Sequence, residues 1–137
     1  MDEIQIHSQK RNQMIDITDR LRAIVRQWSV REGAVVLQSL HTTAALTINE
    51  NADPAVPQDI LAKLENLFPQ KETFYRHAEG NSDSHLKASA LGPSLTVLIH
   101  DGDLVLGAWQ GVFFCEFDGP RTRRVAVQVL RAPQDGA

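Results

Sequence analysis

The sequence predicts an α+β fold whose main body is an antiparallel β-sandwich or barrel, accompanied by two helices and one long functional loop. Short apolar runs separated by turn residues fill the second half of the chain. Two segments in the first half have the three- and four-residue apolar spacing of helices. With 137 residues, 42% of them hydrophobic, the chain can bury one core, so we predict a single domain over 1–137.

The N-terminal elements follow from a change in apolar spacing. Alternating apolar residues predict short strands around 4–6 and 14–17, with the polar HSQKRNQ as the turn between them. From Thr18 onward, apolar residues recur at helical intervals as far as Trp28. We therefore predict a first helix that is capped by Thr18 or Asp19 and ends near Trp28.

Two strands and a second helix are predicted next. Gly33 precedes the β-branched run AVVLQSL, and TTAALTIN continues in the same manner after His41, so His41 lies in or just after a strand. Asp53 followed by Pro54 is a typical helix start, and an apolar stripe follows it. This second helix is expected to stop at Pro69 at the latest.

The remainder is predicted to be one long loop followed by strands. Residues 70–93 contain few large apolar groups and many small polar ones, which indicates a functional loop with one helical turn around 86–91. The runs SLTVLIH, LVLG, WQGVFFCEF and RRVAVQVLR are separated by turns at DGD and DGP. Residues 131–137 are expected to be a frayed tail.

Charge and composition exclude several classes of partner. The 17 acidic and 14 basic residues give a net charge of -3 without a basic stripe, so no nucleic-acid partner is expected. No stretch approaches the roughly 18 apolar residues of a membrane span. The single cysteine, Cys115, lies in an apolar run and is expected to be a buried thiol. We predict a cytoplasmic protein that binds neither nucleic acid nor membranes.

Three histidines lie in two dense polar stretches. His41 precedes TTAALTINENADP, whereas His77 and His85 lie in HAEGNSDSHLK. Imidazole is the commonest protein metal ligand, and three histidines can bind zinc while leaving a position open for substrate. The alternatives are a strand-end His41 bonded to a backbone carbonyl, and solvated loop histidines at the other two positions.

Polar residues close to the histidines supply further candidates. Glu50 has no structural role evident from the sequence, so it is a candidate proton acceptor, and Asn49 precedes it in the triplet NEN. By contrast, Asp53 is the expected helix cap, and Asp59 is expected to be a solvated residue on the polar face of the second helix.

Other residues suit a phosphorylated or aromatic ligand. The segment GNSDS permits turns that present backbone amides to an anion, which makes Asn81 a candidate. Lys87 and the arginines Arg121, Arg123 and Arg124 could contact a phosphate, with a plain surface role as the favoured alternative for two of the three arginines. Between two glycines, Trp109 and Gln110 offer a flat apolar face beside an amide, although Trp109 could equally be a core anchor.

Three long blocks carry a family resemblance. HTTAALTINENADPAVPQDI, HAEGNSDSHLKASALGPSLTVLI and LVLGAWQGVFFCEFDGPRTRRVAV cover nearly the whole chain after about Val35. Together they resemble the YjbQ family, small proteins known as secondary thiamine-phosphate synthases. Agreement across three such blocks is not expected by chance.

The resemblance implies a jelly-roll-like antiparallel β-sandwich assembled as a homotrimer, with polar motifs in clefts near subunit boundaries. It also implies that His41, His77 and His85 form one site for zinc or another divalent cation. The further pocket candidates that it implies are Glu50, Asp59, Lys87, Trp109, Gln110, Glu116 and Arg121.

The activity that the resemblance implies is a coupling of hydroxymethylpyrimidine diphosphate with a thiazole phosphate, which releases diphosphate. Under this hypothesis Glu50, His41 and His85 are catalytic. The substrate ligands are Asn49, Asn81, Lys87, Trp109, Gln110 and Arg121. The alternatives are a metal-dependent hydrolase of a small phosphorylated substrate and a non-catalytic trimer that binds a metal or a small molecule.

Overall fold

The computed structural model describes residues 1–134 and shows an α+β fold of two antiparallel sheets and three helices. The fold class predicted from the sequence is confirmed. The elements in chain order are β1 (Asp2–His7), β2 (Gln13–Asp16), α1 (Thr18–Trp28), β3 (Gly33–Ser39), β4 (Ala44–Glu50), α2 (Ala55–Leu67), α3 (Ser82–Leu91), β5 (Ser94–His100), β6 (Asp103–Leu104), β7 (Gln110–Glu116) and β8 (Thr122–Arg131).

A five-stranded sheet forms one layer, in the order β1-β8-β3-β5-β6. Its register places Ile4 opposite Val125, and Val35 opposite both Val97 and Val129. Along β1, β5 and β8, buried and exposed residues alternate because successive side chains point to opposite faces of a sheet. One face of this sheet therefore packs on the core and the other is exposed.

The main core lies between this sheet and the second, three-stranded sheet, whose order is β2-β7-β4. Leu46 and Phe114 from the small sheet and Leu21 and Val25 from α1 pack against the inward residues of the large one. All four of these side chains are at most 2% exposed. Burial of apolar area on this scale is the principal stabilising contribution.

The small sheet is buried on both faces. Its second face packs on α2 and α3 through Phe113, Cys115 and Leu64. Residues 111–116 of β7 are all buried, which explains why VFFCEF reads as a continuous apolar run with one exception. Burial raises the pKa of the Cys115 thiol to about 12, so the predicted buried thiol is confirmed.

Carboxylates two residues ahead support the starts of α1 and α2. Asp16 Oδ1 accepts hydrogen bonds from the Thr18 N–H at 2.9 Å and the Thr18 hydroxyl at 2.6 Å. The Asp16 carboxylate, and not the side chain of Thr18 or Asp19, therefore accepts from a free N–H group in the first turn of α1. The Asp53 carboxylate accepts from the Ala55 N–H at 2.9 Å, so Asp53 supports the α2 start as predicted.

The third helix, α3, corrects the prediction of two helices and a long loop. Residues 82–91 are helical where the sequence indicated one turn around 86–91. Its buried residues are Asp83, Ser84, Lys87 and Ala88, so the face that packs on the protein is largely polar. Apolar spacing could not reveal this helix because its buried face contains almost no apolar side chains.

The C-terminal strand β8 ends at Arg131, where the predicted run RRVAVQVLR also ends, so the predicted tail begins one residue too early. Arg131, expected in the frayed tail, ends β8 opposite Gly33, and the Ala132 N–H donates to the Glu32 carbonyl oxygen at 2.9 Å. The end of the predicted tail, 135–137, lies outside the described residues. None of the described helices is long and apolar enough to cross a membrane.

Replacement of Phe114 by Ala should destabilise the protein by about 3–5 kcal/mol, because it leaves a cavity where both sheets meet. Leu67→Ala is the matched control, since Leu67 is 56% exposed and its truncation should change stability by less than about 0.5 kcal/mol. Urea unfolding followed by circular dichroism measures both values. Equal effects of the two substitutions would contradict the placement of the core.

Candidate functional site

Helix α3 carries His85 and docks on the small sheet through a mixed face. Ala88 belongs to the same apolar cluster as Ala45 of β4. The Ser84 hydroxyl donates to the Phe117 carbonyl oxygen at 2.6 Å. The helix is therefore fixed at its inner face by one apolar contact region and by hydrogen bonds to backbone.

The rest of the inner face of α3 is charged. Both oxygens of the Asp83 carboxylate accept hydrogen bonds from the Arg11 guanidinium at 2.9 Å. Lys87 Nζ donates to Asp83 at 2.9 Å and also to Glu65 and Asn12. The side chains of Asp83 and Lys87 are 0% and 1% exposed, so these bonds replace lost hydration. This network ties α3 to α2 and to the β1–β2 turn.

The charge state of Asp83 follows from its partners. Burial alone would raise the pKa of the Asp83 carboxyl. Hydrogen bonds and positive charge from Arg11 and Lys87 outweigh burial, so the pKa lies below its ordinary value. Asp83 is therefore ionised at neutral pH and remains the anion that both cations require.

A second buried ion pair supports the backbone next to His41. Arg123 donates to the Glu116 carboxylate through Nε at 2.9 Å and through a second guanidinium nitrogen. It also donates to the Thr43 hydroxyl at 2.8 Å, and the Ser8 hydroxyl donates to Glu116 at 2.7 Å. Because Thr43 lies two residues after His41, this pair anchors the segment that carries His41.

His41 accepts a hydrogen bond from the backbone of β8. The Arg124 N–H donates to His41 Nε2 at 2.8 Å, which assigns the ring proton of the neutral imidazole to Nδ1. Burial lowers the pKa of His41, and the charge of Arg123 lowers it further against the opposing effect of Glu116. At neutral pH, His41 is therefore an uncharged imidazole. The predicted alternative of a backbone-bonded histidine is correct in kind, although the partner is an N–H and not a carbonyl.

His85 lines two clefts, and each cleft also contains one of the other two histidines. Their volumes of about 550 and 340 Å³ fall within the range of small-ligand sites, about 300–1,000 Å³. The larger, here called the His77 cleft, is lined by Phe74, Tyr75, Arg76, His77, Ser82, His85 and Leu86. The smaller, here called the His41 cleft, is lined by His41, Thr42, Ala44, His85, Ala88, Ser89 and Pro93.

The rings of His77 and His85 lie close together. Their centroids are 5.3 Å apart in an edge-to-face arrangement. Two imidazoles that bind one zinc ion at about 2.0–2.1 Å have ring centres roughly 5 Å apart. The spacing of this pair is thus compatible with a shared cation, and Glu79 lies 3.6 Å from His77 Nε2.

The predicted three-histidine site is not assembled within one chain. A metal site of three protein ligands needs side chains whose donor atoms lie close together. Among residues 1–134, such a group, with all donor atoms within 4.8 Å of one another, is formed by Glu32, His100 and Asp101. These exposed residues are joined by ion pairs, with His100 Nδ1 2.8 Å from Glu32. His41 shares a cleft with His85, yet its Nε2 lone pair is already engaged. His85 shares one cleft with His77 and a different cleft with His41.

Glu50 lies at the other end of β4 from His41. The strand runs from Ala44 to Glu50, a rise of roughly 20 Å at about 3.4 Å per residue. The Glu50 carboxylate accepts from the Asp53 N–H at 3.3 Å, so Glu50 has a structural role just before α2 that the sequence did not reveal. In a single chain, Glu50 does not share a site with His41 and His85.

The residues predicted to hold a substrate ring accompany Glu50. Gln110 pairs with Glu50 across the sheet, and its side-chain oxygen accepts from the Gly107 N–H at 2.8 Å. Asn49 accepts from the Glu50 N–H at 2.7 Å. Trp109 is 66% exposed, so its alternative role as a core anchor is wrong. These residues form a group separate from the histidine clefts.

A family model described as UPF0047 protein YjbQ-like matches residues 2–132. The chain belongs to this family. The Bacillus subtilis UPF0047 protein YugU is 44% identical over 127 residues, which cover 93% of this chain and 96% of that protein. The Methanocaldococcus jannaschii UPF0047 protein MJ1081 is 47% identical over 126 residues, 92% of this chain and 91% of that protein.

Crystal structures of other YjbQ-like proteins have the same fold. A Clostridium acetobutylicum protein of the family superposes with a TM-score of 0.93 at 45% identity, covering 95% of this chain and all of that chain. A Sulfolobus solfataricus protein of unknown function gives a TM-score of 0.91 at 30% identity, covering 96% of each. The family resemblance is confirmed, whereas the thiamine-phosphate synthase activity stays a prediction because these names state no reaction.

Three candidates of this YjbQ-like chain contribute chiefly to the fold. Lys87 is buried and donates to three side chains, so it holds α3 and does not reach a substrate phosphate from solvent. Arg121 is half exposed and donates to the Asp118 carboxylate at 3.1 Å. Asn81 donates to that carboxylate at 2.8 Å, and its buried Oδ1 has no partner among the described residues.

Glu116 and Asp59 are the two candidates that remain, and two residues of the buried network were not predicted. Glu116 is fully buried in its ion pair and supports the structure. Asp59 is exposed on α2, as its solvated interpretation predicts. Asp83 and Arg11 were missed. The spacing of Asp83 and Lys87 is that of an i,i+4 ion pair and would have signalled a helix, whereas nothing in the sequence linked Arg11 to it.

Replacement of Asp83 by Asn should cost about 3–5 kcal/mol at pH 7, because two cations lose their buried anion. The folded-state pKa of Asp83 is depressed, so its contribution is complete above the ordinary value of 3.8 and is lost as pH falls through the folded value. The unfolding free energies of parent and variant, measured in urea from pH 7 to pH 2, should therefore converge in acid.

Asp19→Asn is the control for this prediction, since its side chain is 98% exposed beside Arg22. Its stability should stay within about 0.5 kcal/mol of the parent at every pH. A constant gap between Asp83→Asn and the parent down to pH 2 would show that the ionisation of Asp83 does not stabilise α3.

Proposed function

We propose that this YjbQ-like chain is a metal-assisted transferase of small phosphorylated molecules, with His85 between two substrate clefts. The observation that carries the proposal is the position of His85, which lines both the His77 and the His41 cleft. Adjoining clefts suit a reaction that joins two molecules better than one that cleaves a single molecule. A histidine on their shared wall is placed to act on both.

His77 and His85 are the proposed ligands of the cation. Their ring spacing suits a shared ion, and the His85 ring has no hydrogen-bond partner among residues 1–134 that would occupy its lone pair. Zinc is the first candidate, although imidazole also suits nickel and iron. When bound, such a cation would supply positive charge that favours a departing diphosphate.

His41 does not fit the role of third ligand while its Nε2 accepts the Arg124 N–H. A third protein ligand, if one is used, has to come from elsewhere. The carboxylate of Glu79, 3.6 Å from His77, is the nearest candidate on this chain. It also adds negative charge that attracts a cation.

The reaction we propose is the coupling of hydroxymethylpyrimidine diphosphate with a thiazole phosphate. The His77 cleft offers Phe74 and Tyr75, whose rings meet edge to face at 5.2 Å, as an aromatic wall for a heterocycle. Arg76 on the same cleft can bind a phosphate. In one chain, these residues take the ring-binding role predicted for Trp109 and Gln110.

A homotrimer is part of the proposal. Glu50, Trp109 and Gln110 can reach a histidine cleft only from a neighbouring copy, because they lie at the far end of the small sheet. An assembly surface is also suggested by Leu98 and Leu130, which are 61% and 48% exposed and line one cleft on the large sheet. The cytoplasmic location stays a prediction.

Metal analysis of protein purified without a histidine tag should find about one divalent ion per chain. His85→Ala should lower this content at least tenfold, because a single histidine binds such ions weakly. His100→Ala is the matched control and should retain the metal, since His100 belongs to a separate exposed cluster. Loss of metal in His100→Ala but not in His85→Ala would place the ion in that cluster and contradict the proposed ligands.

Incubation with pyrimidine diphosphate should release diphosphate only when the thiazole phosphate is present. His85→Ala should slow this release at least 100-fold, because it removes the side chain shared by both clefts. Diphosphate release that does not need the thiazole would support the hydrolase alternative. Binding of either compound without any turnover would support the non-catalytic one.

A further inference from the structure

The tautomer of His41 decides what this side chain can offer to a ligand. Its Nε2 accepts the Arg124 N–H at 2.8 Å. A neutral imidazole with one accepting nitrogen has its proton on the other, so Nδ1 is a hydrogen-bond donor. A metal ion needs a lone pair and cannot use an Nδ1 that carries a proton. In this geometry, His41 therefore presents a donor.

Other donors line the same cleft. The hydroxyls of Thr42 and Ser89 and the ring of His85 join His41 there. Within residues 1–134, the Thr42 and Ser89 hydroxyls and His41 Nδ1 make no hydrogen bond to the protein, so they are free to bind a ligand. Ala44 and Ala88 form part of the lining and keep that part of the wall apolar. The seven residues that line this cleft include no carboxylate, a group that would repel an anion.

The charged side chains that most affect the pKa of His41 are mainly positive. The guanidinium groups of Arg121, Arg123 and Arg124 all act on the ring, against the one carboxylate of Glu116. Each guanidinium is paired, and the partners of Arg121 and Arg124 are Asp118 and Glu3. Burial lowers the pKa of His41 and the positive charge of the three arginines lowers it further, and this positive charge also favours an anion beside the ring.

We infer that the His41 cleft is an oxyanion subsite, in which His41 Nδ1–H, Thr42, Ser89 and His85 bind a phosphate group. This inference deepens the proposed function and rests on it for the identity of the phosphate as part of a substrate. It changes the role of His41 from metal ligand to anion donor. His85 would then contact both the cation that it binds together with His77 and the phosphate that it binds together with His41.

The first test reads the tautomer in the parent protein, so it needs no variant that folds. Long-range proton–nitrogen NMR spectra at pH 7.5 distinguish a protonated ring nitrogen from a bare one. We expect His41 to have a protonated Nδ1 and a bare Nε2. A protonated Nε2 would overturn the inference, because the donor would then point at the backbone of β8.

The second test measures the binding of inorganic phosphate to chelator-treated, metal-free protein. His41→Gln keeps an acceptor near the Nε2 position but loses the donor, and should weaken phosphate binding roughly 10- to 100-fold, the effect of one hydrogen bond to a charged group. His41→Asn keeps a donor near the Nδ1 position and should stay within about fivefold of the parent. His100→Gln, at the far end of β5, is the matched control and should bind as the parent does.

The outcomes separate this inference from the proposed function. Phosphate binding that follows the expected order of variants supports the subsite even if metal analysis finds no ion. Absence of phosphate binding by the parent at millimolar concentrations overturns the subsite, whatever metal is found at His77 and His85. Equal phosphate affinity of His41→Gln and the parent overturns it too, because His41 would then not donate.

Discussion

The buried ion network around Asp83 is the interaction on which the rest of the site depends. α3 has little apolar surface with which to dock, and its inner face carries a carboxylate and an ammonium that would each be costly to bury alone. Arg11 from the β1–β2 turn and Glu65 from α2 complete the charge balance. This network, together with Ala88, holds α3 on the small sheet and so holds His85 between two clefts. The same network explains why Lys87, which looks available in the sequence, does not reach a substrate.

The small sheet sets the distances between functional groups. Its central strand β7 is buried on both faces from Gly111 to Glu116, and the exposed polar side chains of β4 lie towards its Glu50 end. His41 precedes β4 by three residues and Glu50 ends the strand, which is itself roughly 20 Å long. Residues adjacent in a motif are thereby assigned to opposite ends of one strand. In a single chain, the polar residues of HTTAALTINEN therefore serve two different places.

Prediction from sequence succeeded where apolar periodicity carries the signal. α1, α2 and the strands have apolar faces at the spacing of their geometry, so their positions could be predicted to within a few residues. α3 could not, because its periodic positions hold Asp83 and Lys87. Nor did the sequence reveal that Asp16 begins α1, since a carboxylate two residues before a helix and a threonine at its start are equally acceptable patterns.

The sequence by itself determined the fold class, the family and the identity of three chemically capable histidines. Those properties follow from residue type and local spacing, which a linear chain displays directly. Only the tertiary structure decided which histidines meet, that His41 Nε2 accepts a backbone N–H, and that Lys87 is enclosed by carboxylates. These facts depend on contacts between residues far apart in the chain, such as Arg11 with Asp83 and His41 with Arg124. Such contacts are set by how sheets and helices pack, because hydrogen bonds and buried charges need partners in space and not in sequence.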